Sequence, residues 1–227
     1  LINHFVNKYP QNGDFLDIGG GNGLQSKSII DNGYKNKVIV CEPGIKGCLN
    51  SKKNGINLIY NGFFQDFPFD SFNISACGLF DVIEHVEDDI RFLNDLYSRI
   101  EKGTTLFINV PALKHLWSET DDYAGHFRRY NLKDIKRIEK LTNFNVIDYT
   151  YYFSHYYLPL FILRVIPFAM GLKKGNLKIK KDEINNLKAK NSLTNSVLNY
   201  SNNRSLLKLK NNKKIRFGTS LFLVLKK

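Results

Sequence analysis

Residues 15–23 read FLDIGGGNG, and the next residues, LQSKSII (24–30), have the apolar spacing of a helix. A short apolar strand that ends in glycines and passes straight into a helix is the junction that opens an α/β sheet. Gly19, Gly21 and Gly23 let the backbone approach a ligand closely and supply conformations closed to residues with a Cβ. The helix start beyond them offers N–H groups that lack an intrahelical partner. Asp17 adds an acceptor beside the turn. The plainer alternative is a glycine-rich surface turn, which the strand before it and the helix after it disfavour.

Outward from this turn, apolar periodicity alternates short strands with helices, the pattern of βαβ units. Strands are expected at 14–18, 37–41, 56–60, 72–80 and 104–110, then at 144–153 and 215–225. In VEDDIRFLNDLYSRI (86–100), Ile90, Leu93, Leu96, Tyr97 and Ile100 share one face, with acids in the first turn where the helix dipole favours them. Asn131 and Asp134 can cap the following helix, LKDIKRIEKL (132–141). The expected fold is α/β: a Rossmann-like, seven-stranded, mostly parallel sheet with helices on both faces and an antiparallel last strand. A helical insertion is expected before that strand.

The ligand of the turn is a separate question. A dinucleotide fingerprint needs G-x-G-x-x-G/A, its third small residue packing helix on strand. Leu24 holds that position here and the last glycine comes one residue early, at Gly23. Asp17, just before the loop, also suits a cationic ligand better than a diphosphate. Glu42, closing the second strand, can accept from both hydroxyls of a ribose. That favours a nucleoside with a free 2′-OH, either NAD or S-adenosylmethionine.

FLDIGGGNG, VIVCEP (38–43), LFDVIEHVEDD (79–89) and TLFINVPA (105–112) together resemble successive motifs of class I S-adenosylmethionine-dependent methyltransferases, in the subgroup that includes ubiquinone-biosynthesis-like enzymes. The likeness runs from about Phe15 to Tyr130. It implies S-adenosylmethionine as cofactor, with Asp17, Gly19, Gly21 and Gly23 at the methionyl end, Glu42 at the ribose and Phe80 flanking. Where the family often has an acid after the third strand, this chain reads NGFFQDFPF (61–69) with Phe63 in the acid's position. Asp66, or stacking by Phe63 or Phe64, can serve the adenine there. Asp81, Glu84 and His85 read first as caps and supporting partners at a strand-to-helix passage. Neither HExxH nor a paired Cys/His spacing occurs, so no metal is expected.

After the fifth strand comes PALKHLWSETDDYAGHFRRY (111–130), loop-like, aromatic and polar, at the strand edge where ligands of open α/β sheets bind. Similar stretches occur in small-molecule methyltransferases of the subgroup. Trp117, Asp121, His126, Arg128, Arg129 and Tyr130 are the acceptor-site candidates. His126 is the candidate base for a hydroxyl or ammonium acceptor, and the two arginines could grip an acceptor's carboxylate or phosphate. Equally, His126 and the arginines could simply tie the loop to Asp121 and Asp122.

Composition narrows the partners. Of 227 residues, 13% are aromatic and 24% charged, which excludes a disordered or collagen-like chain. The net charge of +12 is uneven: residues 1–170 hold 18 Lys and Arg against 19 Asp and Glu, whereas residues 171–227 hold 15 against 2. A neutral body with a basic end argues against nucleic acid as the substrate, and no NPPY-type tetrapeptide for a flipped base is present. YYFSHYYLPLFILRVIPFAM (151–170) is long and apolar enough to raise a membrane span, but Arg164, His155, Pro159 and Pro167 interrupt it. An apolar lid is the first expectation, and contact of residues 155–181 with anionic membrane through Lys173, Lys174, Lys178, Lys180 and Lys181 the second. The polar run 191–203 is expected to be mobile. Three cysteines without a CxxC pair suit reduced thiols and a cytoplasmic location, peripheral to membrane in the second case. The chain begins at Leu1, so further sequence is expected before it.

The expected organisation is a nucleoside-binding domain over 1–153, an insertion over 154–214 and a returning strand over 215–227. The expected activity is methyl transfer to a small-molecule, sugar-linked or lipid-like acceptor. A non-catalytic cofactor-binding module and an NAD-dependent oxidoreductase are the alternatives.

Overall fold

The structure, a computed structural model, describes residues 1–172, 203–211 and 213–227. Seven strands form one sheet in the order β3-β2-β1-β4-β5-β7-β6. They are β1 (Asp14–Ile18), β2 (Val38–Glu42), β3 (Leu58–Asn61), β4 (Ile74–Phe80), β5 (Thr105–Pro111), β6 (Asn145–Tyr152) and β7 (Ser220–Lys226). The first five are parallel, and β7 enters antiparallel between β5 and β6. β1 is buried along its whole length because it lies mid-sheet, its two acids Asp14 and Asp17 included. Its two neighbours, β2 and β4, lie on opposite sides, and Asp17 is level with Val40 on one and Gly78 on the other. The strand order therefore reverses beside β1, the place where such sheets open a crevice at their carboxyl ends.

Local signals form the helices as expected. α1 (Ile2–Lys8) precedes β1, α2 (Leu24–Asp31) follows the glycine turn, and α3 (Ile45–Lys53) follows β2. α4 (Asp89–Arg99) starts at Asp88, whose carboxylate accepts from Arg91 N–H at 2.9 Å. α4 buries Leu93 and Leu96, with Ile100 buried just past its end. Asp89, buried at its start, is gripped by both terminal nitrogens of Arg137 from α6 (Leu132–Leu141).

Some bounds move for tertiary reasons. β3 begins at Leu58 rather than 56, because Ile56 is buried beside Gly23 instead of joining the sheet. β7 begins at Ser220 rather than 215, since Ile215 bonds to Tyr151 and Gly218 lies against the Tyr152 backbone. The stretch 111–130 is not wholly loop: α5 (Glu119–Ala124) forms there, with Ser118 and Asp121 making a reciprocal cap. In the apolar stretch 151–170, β6 runs to Tyr152 and helical backbone spans Tyr157–Ala169. A widened turn over Phe161–Val165 precedes Pro167, which has no N–H to keep the α register. Among the described residues no helix is long and apolar enough to cross a membrane. The run 191–202 and the lysines from 173 to 181 lie outside the described residues.

By contacts the chain divides into two compact units. One comprises Leu1–Val110, Leu132–Tyr149 and Phe222–Lys227, the other Pro111–Asn131 and Thr150–Leu221.

Candidate cofactor site and acceptor loop

In the first unit the glycine turn folds as its spacing requires. Gly19, Gly21 and Gly23 all have positive φ, of 69°, 55° and 72°. At Gly23 the lack of a side chain is also a packing requirement, since a Cβ would lie 2.7 Å from Ser51 Oγ and 2.8 Å from Ile56 Cγ1. Gly23 thus does the helix-packing work that a dinucleotide fingerprint gives to the next position, and Leu24 is left exposed.

Asp17 is buried just below the turn. Its Oδ2 accepts from Ser26 Oγ at 2.6 Å, while Oδ1 is buried with no hydrogen-bond partner among the described residues. Burial raises its carboxyl from the ordinary 3.8 to about 7, against the Ser26 hydrogen bond and helped by the nearby charge of Glu42. An unpaired acceptor in a buried place has an unmet demand for a donor or a cation. Glu42 sits across the turn: Oε2 accepts from Gly21 N–H at 2.9 Å and Oε1 from Gly44 N–H at 2.7 Å. Each oxygen keeps a second lone pair, enough for one hydroxyl apiece. Gly47 lets α3 pass close by, since a Cβ there would meet Glu42 Cγ at 2.7 Å.

The raised carboxyl has a measurable consequence. With a folded value above the unfolded one, protonated Asp17 favours the cofactor-free fold, whose stability drops as pH rises from about 4 through about 7. A cationic ligand reverses the preference by favouring the ionised form. Affinity for S-adenosylmethionine is therefore expected to rise with pH up to about 7, by no more than about tenfold per unit, with proton release seen by calorimetry in buffers of different ionisation enthalpy. In Asp17→Asn both the slope and the proton release should vanish.

The adenine candidates separate. Phe64 is 2% exposed and packed edge-on against Phe92 of α4, so it presents no face to a ligand, whereas Phe63 is 63% exposed. Asp66 is exposed, and its carbonyl accepts from Tyr60 Oη at 2.7 Å. Phe80 is buried with its ring stacked on Phe15. The next residue, Asp81, has φ 57°, unusual for a residue with a side chain; its N–H donates to Asn109 O at 2.9 Å and its Oδ1 accepts from Asn109 Nδ2 at 2.8 Å. A strained residue at the carboxyl end of a central strand points to function, and sequence gave only its place in DVIEHV as a signal. Glu84 is buried, His85 exposed.

In the second unit, the excursion from Pro111 closes on itself: Tyr130 N–H donates to Pro111 O at 2.9 Å and Leu113 N–H to Tyr130 O at 3.0 Å. Asp121 organises its interior. This carboxylate, its side chain 0% exposed, accepts from Arg129 Nε at 2.7 Å and Nη2 at 3.1 Å and from Ser118 N–H at 3.0 Å, and meets His126 Nδ1 at 3.0 Å. Burial works to raise its carboxyl, but the hydrogen bonds from His126 and Arg129 outweigh it and hold the value below 3.8. Arg129 also donates to Ala112 O at 3.1 Å and is buried. Its guanidinium is spent on the loop, as is the fully buried Tyr130 ring. Trp117 donates to Asp122 Oδ1 at 2.9 Å. Arg128 and His126 are half-buried. Asp121 orients the His126 ring through Nδ1.

Comparison with known proteins accords with this geometry. A family model described as a methyltransferase domain matches residues 1–149. No curated protein matches the chain. An S-adenosylmethionine-dependent methyltransferase of Archaeoglobus fulgidus superposes with a TM-score of 0.60 at 14% identity, covering 100% of this chain and 91% of that one. A Haloferax volcanii methyltransferase solved with its Trm112 activator gives 0.61 at 11% identity, covering 98% and 87%. Phosphoethanolamine N-methyltransferase 2 of Haemonchus contortus, holding S-adenosyl-L-methionine, gives 0.55 at 18% identity, covering 98% and 51%. The chain belongs to the methyltransferase-domain family and is a class I S-adenosylmethionine-dependent methyltransferase. The residues suit that cofactor: a buried carboxylate oxygen lacks a partner, two further acceptors face the turn, and Gly19, Gly20, Gly21 and Gly23 put no side chain into it.

Proposed function

We propose that this enzyme methylates a small-molecule, sugar-linked or lipid-like acceptor. When bound, S-adenosylmethionine supplies a methyl group on a positively charged sulfur. Asp17, Gly19, Gly21 and Gly23 would hold its methionyl part, Glu42 its ribose, and Phe63 in place of Phe64 its adenine, with Asp66 at the rim. Phe80 would flank the cofactor from the end of β4, with Asp81 next to it. Because the leaving group departs neutral, most of the acceleration can come from alignment, with the acceptor atom about 3 Å from the methyl carbon.

The loop 111–130 is the acceptor-recognition element in this reading. The observation that carries it is the buried Asp121 carboxylate set against His126 Nδ1 at 3.0 Å. That contact orients the imidazole, and in this reading His126 is the group that would take the acceptor's proton. Trp117 and Arg128 contribute contact and charge, while Asp121, Arg129 and Tyr130 hold the loop's shape. The near-neutral charge of residues 1–170 supports a small acceptor over RNA.

The test is transfer of a tritiated methyl group into a fractionated cell extract, with identification of the labelled product. Label in a small molecule or lipid is the expected result. Label confined to RNA or protein would refute the acceptor class, and binding of cofactor without transfer to any fraction would support a binding module instead. With the acceptor in hand, His126→Ala should bind S-adenosylhomocysteine normally and turn over at least about tenfold more slowly. Unchanged turnover removes the base from the reading.

A further inference from the structure

We propose that the helical face between Leu158 and Leu172 rests on an anionic lipid surface. No residue from Ser154 to Ala169 is buried, although most are apolar. Leu158, Ile162, Leu163, Ile166, Met170 and Leu172 are between 39% and 69% exposed. Four of them, at 158, 162, 166 and 170, recur every fourth residue, the spacing of one helix stripe. Scattered exposed aliphatics are ordinary in a folded protein, but an aligned row of this length marks a surface that meets something apolar.

The charge around this row identifies the occupant. Residues 150–172 and 203–219 contain no Asp or Glu but seven cations, Arg164, Arg204, Lys208, Lys210, Lys213, Lys214 and Arg216, while residues 111–131 of the same unit hold three acids balanced by three cations. The ring of Phe217, next to Arg216, packs edge-on against Tyr157 at 4.9 Å, which brings the basic segment to the start of the apolar helix within the same unit. Aliphatic side chains in a unit with an excess of cations are what an anionic bilayer surface takes: the apolar row enters the acyl boundary while lysines and arginines stay among the headgroups. Spanning is out of reach, because thirteen helical residues measure about 20 Å against an apolar core of about 30 Å. Nucleic acid would use the cations but has no use for the aliphatic row, since bases stack on aromatic rings. Self-association would bring like charges together. The inference rests on the second unit alone and holds whatever the acceptor is.

The experiment is flotation of the full chain with vesicles of phosphatidylcholine alone and of phosphatidylcholine mixed with phosphatidylglycerol. The protein is expected on the mixed vesicles, at least about tenfold more weakly on the neutral ones, and with an affinity that falls as salt rises. The double variant Leu163→Asp/Met170→Asp should lower binding by about tenfold or more through the apolar row. Lys208→Glu/Lys213→Glu should lower it through charge alone. Both should bind S-adenosylhomocysteine as the parent does, which separates loss of docking from loss of fold. No flotation on anionic vesicles, equal flotation on both kinds, flotation indifferent to both double variants, or retention by RNA in place of vesicles would overturn the proposal.

Discussion

Glu42→Ala should weaken binding of S-adenosylhomocysteine by about 100-fold while the protein stays folded. The carboxylate would lose two hydroxyl donors from the ribose, and hydrogen bonds to a charged group contribute roughly 1.5–3 kcal/mol each. One tenfold step in affinity is about 1.4 kcal/mol, so loss of two bonds at the lower end of that range, about 3 kcal/mol, amounts to about two such steps. The same side chain holds Gly21 N–H and Gly44 N–H. Gly44 is exposed and Gly21 half-buried, so water can replace the lost acceptor and the melting temperature should move by only a few degrees. Glu42→Gln, with one oxygen left to accept, should fall between the parent and Ala. Calorimetry and thermal melting decide the matter together. An Ala variant that binds within threefold of the parent at unchanged melting temperature would remove Glu42 from the cofactor site.

Arg129→Ala should be the most damaging single change to stability among the candidate residues. Asp121 is wholly buried, and Arg129 supplies two of the donors that keep it ionised. Removing one partner of a buried ion pair leaves an uncompensated charge and costs about 3–5 kcal/mol. For a chain of this length that corresponds to a melting temperature lower by roughly 10 °C. Asp121→Asn keeps the shape but releases both the arginine and the imidazole from their carboxylate, and should cost a similar amount. Asp121 has its folded value held below the ordinary 3.8, so its contribution is complete above about 4 and fades only as pH falls through the folded value. The difference in stability between parent and Asp121→Asn should therefore be flat near neutrality and shrink in acid. A change of less than a degree for Arg129→Ala would show that the loop is held elsewhere.

These residues divide what could be read in advance from what could not. Positive φ at three glycines, a buried run for β1 and an α4 face of Leu93 and Leu96 are local properties. Each follows from the type and spacing of neighbouring residues, and together they named the sheet and the turn, while the cofactor was implied by the resemblance of successive motifs to methyltransferases. The competing uses of one side chain were not legible in that way. An arginine eight residues after an aspartate could have served an acceptor or the loop. Its 9% exposure and two bonds to Asp121 show it serves the loop.

The same holds for Phe63 and Phe64, adjacent and chemically identical. Only the presence of Phe92 at 4.8 Å from the second ring decides which one is core. The order of apolar and small residues along the chain thus determined the sheet and its glycine turn, because backbone conformation and burial periodicity act over a few residues. Which polar or aromatic side chain stays available to a ligand was decided by the tertiary structure, because a side chain's partners come from segments far away in sequence, and burial next to one of them withdraws it from every other use.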